Sequence, residues 1–339
     1  MKVLVLGGSV FVGRRLVEML AAQSHEVVVL NRGRTPTTLP DGVRLVKADR
    51  TDVESMRSAL VGTSWDAVFD VSGFVMAAGG SDIDALIDLV DGRVGHYVYV
   101  SSIMAYDQSL IGMAPWTENL PSDAGGARTY GGFKAMAERA MLERFERTRF
   151  PVTISRPAAI YGPHNNIYDM ETPMFLRLQR GLPILVPHEG LVTASYGHVD
   201  DLCSTLIAFV GRSDALGQIV NTTAEAVTTL HYVETLARIV GRDPRIVFVP
   251  SEVPAGFPRG VYGHLFSRTH HAVLSTEKMH RILGPMTQLD FASGHRSTYE
   301  WFVTQGWSDL AQPLADPVWF ATWDFDAEAR AAAMLGVGS

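Results

Sequence analysis

A short apolar run at residues 2–6 enters the turn Gly7-Gly8-Ser9-Val10-Phe11-Val12-Gly13, and a helix-period segment covers 11–22. Glycines at a strand-to-helix turn let another group come close to the main chain. The helix N-terminus adds free N–H groups and the positive end of a dipole. Together these make the fingerprint of a dinucleotide pyrophosphate resting on the first turn of an α/β sheet. Gly7, Ser9, Phe11, Val12 and Gly13 are therefore candidate cofactor contacts. Val10 stands where a third glycine is often found, which tightens the turn.

The same alternation continues along the chain. Residues 26–30 and 43–47 read as strands, and 51–61 as a helix with Thr51 as its N-cap. A strand at 67–71, a helix at 82–90 and a strand at 96–101 follow, then a long helix at 129–147 and a strand at 152–155. Such βαβ order implies a parallel sheet covered on both faces, an α/β Rossmann-type doubly wound fold. After Pro163 the rhythm breaks, and prolines and glycines are dense through Gly190. Helices at 199–210, 229–240 and 276–283, strands at 218–221 and 245–249, and a loop at 250–263 complete the reading. We expect a dinucleotide-binding domain from 1–162 and 191–224, and a smaller C-terminal substrate lobe from 163–190 and 225–310. Residues 311–339 form a tail, with Trp319 and Trp323 packing against the body or a partner subunit.

Composition narrows the class. The 339 residues are 47% hydrophobic and 19% charged, which suits one large globular domain plus a lobe. The net charge of −7 argues against a nucleic-acid partner held by phosphate charge. The single cysteine, Cys203, can form no internal disulfide and reads as a small buried residue of an amphipathic helix. No apolar run reaches membrane-spanning length, and the apolar start meets a glycine turn too early for a signal peptide. The expected setting is cytoplasmic. The eleven histidines have no ligand-like spacing, so no metal is expected.

The second strand ends in Asn31-Arg32-Gly33-Arg34. No acidic side chain is present to bind ribose hydroxyls, and Arg32 and Arg34 can meet a 2′-phosphate, so the cofactor is NAD or NADP with NADP favoured. Asp49 and Arg50 are placed to meet the adenine edge, and Val71, Ser72 and Gly73 to let the cofactor pass. Ser102 follows a strand; Tyr130 lies 28 residues on, and Lys134 four beyond it, on the same helix face. A neighbouring ammonium favours a phenolate, so Tyr130 can exchange a proton with a substrate hydroxyl that Ser102 orients. Lys134 can also hold the nicotinamide ribose.

On these segments the chain resembles an extended, atypical short-chain dehydrogenase/reductase of the NAD-dependent epimerase/dehydratase type. The resemblance rests on Gly7–Gly13, on Tyr99-Val100-Ser101-Ser102 with Tyr106, and on Tyr130 and Lys134. It extends to Arg156-Pro157-Ala158-Ala159-Ile160-Tyr161-Gly162-Pro163 and His198-Val199-Asp200-Asp201. It implies that Ser102, Tyr130 and Lys134 are catalytic, that Pro157 to Ile160 touch the nicotinamide, and that the lobe after Pro163 holds substrate. It also implies a homodimer through the helices at 82–90 and 129–147. The opening turn is similar to that of a branch that includes chloroplast RNA-binding relatives.

Departures from the family pattern narrow the reaction. Ile103 and Met104 stand where sugar dehydratases carry an acid and a base, and neither can transfer a proton. Hydride chemistry remains, by an epimerase or by a reductase/dehydrogenase acting at a secondary alcohol or ketone of a sugar-like substrate. Residues 191–196 lack the arginine that clamps a diphosphate in nucleotide-sugar relatives, whereas Arg268 sits where a second one is expected. His164, Asn165, Asn166 and Tyr168 are candidates for substrate hydroxyls. The competing reading is a non-catalytic nucleotide-sensing or RNA-binding protein on the same scaffold.

Overall fold

The computed structural model describes residues 1–72, 81–107, 109, 113–123, 125–126, 129–168, 170–258, 261, 266–311, 313–314 and 323–336. Its strands are β1 (Lys2–Leu6), β2 (Glu26–Asn31), β3 (Arg44–Lys47), β4 (Trp65–Asp70), β5 (Val94–Val100), β6 (Val152–Pro157), β7 (Ala159–Tyr161), β8 (Pro183–Pro187), β9 (Thr193–His198), β10 (Gln218–Thr222), β11 (Ala226–Thr228) and β12 (Arg245–Val249). Its helices are α1 (Phe11–Ala22), α2 (Val53–Leu60), α3 (Ser81–Val90), α4 (Tyr130–Thr148), α5 (Glu171–Arg180), α6 (Val199–Phe209), α7 (Thr229–Val240), α8 (Glu277–Leu283), α9 (Phe291–Thr304) and α10 (Phe325–Met334).

Seven strands pair in parallel in the order β10-β6-β5-β4-β1-β2-β3, the Rossmann-type arrangement. Strand β1 lies between β2 and β4, and Val3, Leu4 and Val5 are fully buried. That is why its sequence is a continuous apolar run and not an alternating one. On one face, Leu16 and Leu20 of α1 pack with Leu206 and Phe209 of α6. On the other, Leu60, Ile87, Phe133 and Met141 bring α2, α3 and α4 together. Cys203 is fully buried in α6, and burial pushes its thiol up, away from a reactive thiolate.

Helix α2 starts later than its sequence suggests. Asp52, not Thr51, is the N-cap: its carboxylate accepts from the Glu54 and Ser55 N–H groups at 3.0 and 3.1 Å. The Thr51 hydroxyl donates instead to Asp49 Oδ1, at 2.8 Å.

Beyond Pro163 the structure is more regular than the proline and glycine content suggests. Helix α5 tolerates Pro173 in its first turn, where a missing N–H leaves no intrahelical bond unmade. Gly181, at φ 63°, then ends the helix in the left-handed conformation. Pro183 and Pro187 occupy the ends of β8, which pairs in parallel with β12. Within 191–224, β10 joins the seven-stranded sheet beside β6, while β9 pairs with β7 and β11 in a separate sheet. Helices α5, α7 and α9 enclose an aromatic core containing Phe175, Tyr232, Phe291 and Phe302.

The tail folds back on this lobe. Helix α10 packs on β8, Trp323 is buried, and Glu328 receives both Arg177 Nε, at 2.6 Å, and Arg177 Nη2. Trp319 lies outside the described residues. Among the described residues, no helix is long and apolar enough to cross a membrane. Removing one partner of a buried ion pair strands the other charge. Glu328→Ala is expected to lower the unfolding free energy by about 3–5 kcal/mol, and Arg177→Met with Glu328→Leu to recover most of it. Urea titration of the three proteins checks this.

Candidate active site

A cleft of about 410 Å³ opens at the C-terminal ends of the central strands, the usual ligand position in a doubly wound sheet. The turn after β1 forms one wall. Gly7 and Gly8 have φ of 115° and 87°, which L side chains rarely adopt. A Cβ on Gly13 would lie 2.5 Å from the Gly8 nitrogen, so the turn and α1 touch only because both positions are glycine. Val10 has φ −136° and an exposed side chain, so this position does not need glycine. The demand falls on Phe11, a non-glycine residue at φ 40°. No side chain caps α1, which leaves its first N–H groups for an anion. Close backbone approach and an uncapped helix start both fit a dinucleotide pyrophosphate.

Asn31, at the end of β2, ties this turn in place. Its Nδ2 donates to the Gly7 carbonyl, at 3.2 Å, and to Ser9 Oγ, at 2.8 Å, while its Oδ1 accepts from the Gly33 N–H, at 2.7 Å. Arg32 and Arg34 line the same end and are exposed; Arg34 lies 3.8 Å from Asp49. Hydrogen bonds from Thr51, with the nearby Arg32 and Arg34 charges, hold the Asp49 carboxyl below its ordinary range. Asp49, Val71, Ser72, Pro157 and Ile160 also line the cleft, and Gly73 falls outside the described residues. Arg50 reaches the wall too, but its guanidinium turns inward, donating to Asp70 and Ser72 at 2.6 and 2.9 Å.

Ser102, Tyr130 and Lys134 come together at the end of β5. Ser102 follows the strand and caps a short 3-10 turn, its Oγ accepting from the Met104 N–H at 3.1 Å. Thr129 caps α4 through the Gly132 N–H, at 3.0 Å, and so sets Tyr130 at the helix start. The Ser102 hydroxyl faces the Tyr130 phenol closely enough to oppose the effect of burial on it. Lys134 lies behind the cleft wall; its Nζ donates to the Val100 carbonyl at 2.7 Å and sits 5.7 Å from the Tyr130 ring centre. Burial pushes the Tyr130 phenol up, so it is a proton donor at neutral pH. Burial also pushes Lys134 down, to about 8.

The sequence reading missed a buried pair beside this group. Glu138, one further turn along α4, accepts from Ser101 Oγ at 2.5 Å and from Arg156 at 2.9 and 2.5 Å. The signal was available, because Tyr130, Lys134 and Glu138 repeat every four residues.

The substrate end is mostly apolar. Met104, Ile167 and Met170 line it with Asn166 and Arg268. His164 and Asn165 lie outside the lining. Asn165 is buried, donating to Glu171 at 2.8 Å, and His164 packs on Trp301 with ring centres 5.1 Å apart. Tyr168 also turns away, its ring edge against Trp307.

Comparison with known proteins agrees with this geometry. The chain is 27% identical to the chloroplast stem-loop binding protein of 41 kDa b from Arabidopsis thaliana, over 88% of this chain and 78% of that one. It is 28% identical to the 2′-dehydrokanamycin reductase of Streptomyces kanamyceticus, over 74% of this chain and 70% of that one. The fold superposes with a TM-score of 0.72 on dTDP-glucose 4,6-dehydratase from Bacillus anthracis in complex with NAD, at 18% identity, covering 90% of this chain and 97% of that one. The profile of the NAD dependent epimerase/dehydratase family matches residues 3–222. The chain therefore belongs to that family, and with it to the enzymes of the short-chain dehydrogenase/reductase type.

Proposed function

We propose that the protein is an NADP-dependent reductase, or dehydrogenase in reverse, acting at a ketone or secondary alcohol of a sugar-like substrate. The observation that carries this reading is the placement of Ser102 and Tyr130 together in the cleft lining, with Lys134 behind the phenol. A nicotinamide dinucleotide bound along the glycine turn supplies the hydride donor or acceptor. Ser102 orients the substrate oxygen, and the Tyr130 phenol gives it a proton as the carbonyl carbon gains hydride. The Lys134 ammonium favours the phenolate that remains. Arg268 faces the cleft and suits one anionic substituent. The likeness to 2′-dehydrokanamycin reductase supports net reduction of a sugar ketone.

The choice of NADP rests on the end of β2, where an amide and two exposed arginines replace the usual acid. Charge-assisted hydrogen bonds contribute about 1.5–3 kcal/mol each. Arg32→Ala with Arg34→Ala should therefore raise KM for NADPH by about 10-fold or more and leave that for NADH nearly unchanged. Equal KM changes for the two cofactors would exclude this assignment.

An epimerase recycles its hydride, so mass spectrometry of the purified protein separates the alternatives: tightly retained cofactor favours epimerisation, reversible binding the reductase. The likeness to a stem-loop binding protein supports a second reading, RNA binding on this scaffold. Tyr130→Phe distinguishes the two. Under the enzyme reading it binds cofactor normally and loses about 10²–10⁴-fold in turnover. Full turnover in that variant would rule the mechanism out.

A further inference from the structure

A second polar group lies under the cleft floor, at the ends of β4 and β5. Asp70, the last residue of β4, is fully buried, and four hydrogen bonds converge on it. Arg50 Nη1 donates at 2.6 Å, the Tyr97 hydroxyl at 2.9 Å, and the Ser72 hydroxyl and N–H at 3.1 and 3.3 Å. Arg50 and Ser72 reach the cleft wall, whereas Asp70 lies behind it. In the sheet register Asp70 is opposite Tyr99, and Lys134 Nζ sits 4.8 Å from the centre of the Tyr99 ring. The buried one of the two aspartates of β4 is thus paired in register with the tyrosine whose ring lies against the lysine.

We propose that Asp70 is a positioning residue for the Ser102, Tyr130 and Lys134 group: its buried carboxylate keeps Lys134 an ammonium beside Tyr130, and Arg50 links that carboxylate to the cofactor wall. The proposal rests on the reading of those three residues as a proton-transfer group. Among the described residues, the charged or titratable groups around Lys134 are Tyr130 and Glu138 on α4, Tyr97 and Tyr99 on β5, Asp70 on β4, and Arg50 after β3. Glu138 is held by Arg156 and Ser101, and both tyrosines are pushed further up by burial, so they stay neutral. Burial works against the Asp70 carboxylate, but the Arg50 charge and the bonds from Arg50 and Tyr97 outweigh it and hold the group ionised. Of the neighbouring charges, Asp70 acts most strongly on Lys134, Arg50 opposes it, and Glu138 contributes less.

The signs follow directly. Lys134 is an ammonium below its midpoint, near pH 8, and neutral above it. Removing the Asp70 carboxylate moves that loss of charge to lower pH; removing the Arg50 cation moves it to higher pH. A residue that merely supported the fold would not shift one titration in opposite directions.

The chain has four lysines, Lys2, Lys47, Lys134 and Lys278, so carbon-13 NMR of the lysine side chains can follow Lys134 in the whole protein. The Lys134 signal is the one missing in Lys134→Arg. We expect its midpoint to fall by about one pH unit or more in Asp70→Asn, and to rise in Arg50→Met. The double variant strands neither charge in the core; its midpoint should lie between those of wild type and Asp70→Asn. If Asp70→Asn does not fold, the double variant and Arg50→Met decide the matter. An unmoved midpoint in the double variant, or a shift of the same sign in Asp70→Asn and Arg50→Met, overturns the proposal. The NMR reading does not depend on turnover. The expected shifts in a protein that reduces no ketone would support this role for Asp70 and reject the proposed reaction. Unmoved shifts in an active reductase would do the reverse.

Discussion

The face of α4 that carries Tyr130, Lys134 and Glu138 has to be held against the ends of β5 and β6, and the Glu138–Arg156 ion pair holds it. The two side chains are 2% and 1% exposed. Such a pair adds little net stability, because removing two charges from water offsets most of their attraction. What it adds is geometry. A guanidinium meets a carboxylate through two nitrogens in one relative placement, and Arg156 is fixed by β6. Since positions four apart share a helix face, anchoring Glu138 also sets Lys134 and Tyr130. Ser101 donates to the same carboxylate, which fixes the residue before Ser102. Gly131 and Gly132 add a second constraint: a side chain at either would collide with the Met104 or Gly126 backbone, so the start of α4 lies directly on the loops beside it.

This anchoring creates an electrostatic problem that the rest of the polar core answers. A phenol and an amine held in a weakly polarisable interior both resist ionisation. Tyr130 is pushed up and Lys134 down, which favours neutral forms of both. Asp70 and Glu138 supply negative charge on two sides of the lysine, and each is itself neutralised by an arginine. The paired arrangement keeps the total buried charge low and still leaves the lysine in a field that favours its proton.

Much of this was open to sequence reasoning where the chain's own period carries the signal. The turn from β1 into α1 is written in glycines whose φ values no other residue adopts freely, and Tyr130 and Lys134 declare themselves by one helical turn of spacing. Elsewhere the local signal misleads for physical reasons. Pro173, Pro183 and Pro187 suggest a loop, but all three sit where no backbone N–H is needed, so α5 and β8 form regardless. Asn165 looks suited to a substrate hydroxyl but is needed inside by Glu171. Arg50 looks suited to the adenine edge but is turned by Asp70, a partner 20 residues away that only the sheet brings near. Side-chain direction depends on long-range pairing, and spacing along the chain does not encode it.

The two halves of the cleft differ in how they are built, and the difference bears on the proposed chemistry. The cofactor half is made from backbone, glycine and Asn31, which suits a ligand recognised through phosphate and ribose. The substrate half is walled by Met104, Ile167 and Met170, with Asn166 and Arg268 as its polar exceptions. On the proposed reading, an apolar wall excludes water and so strengthens each hydrogen bond that Ser102 and Tyr130 would make to a carbonyl oxygen. It also limits the reaction. Ile103 and Met104 line the cleft beside Ser102 and can neither remove nor deliver a proton. On the proposed reading, a ketone bound there can be reduced or an alcohol oxidised, but neighbouring water cannot be eliminated. On that reading, the apolar side chains next to Ser102 set this site apart from a dehydratase built on the same fold.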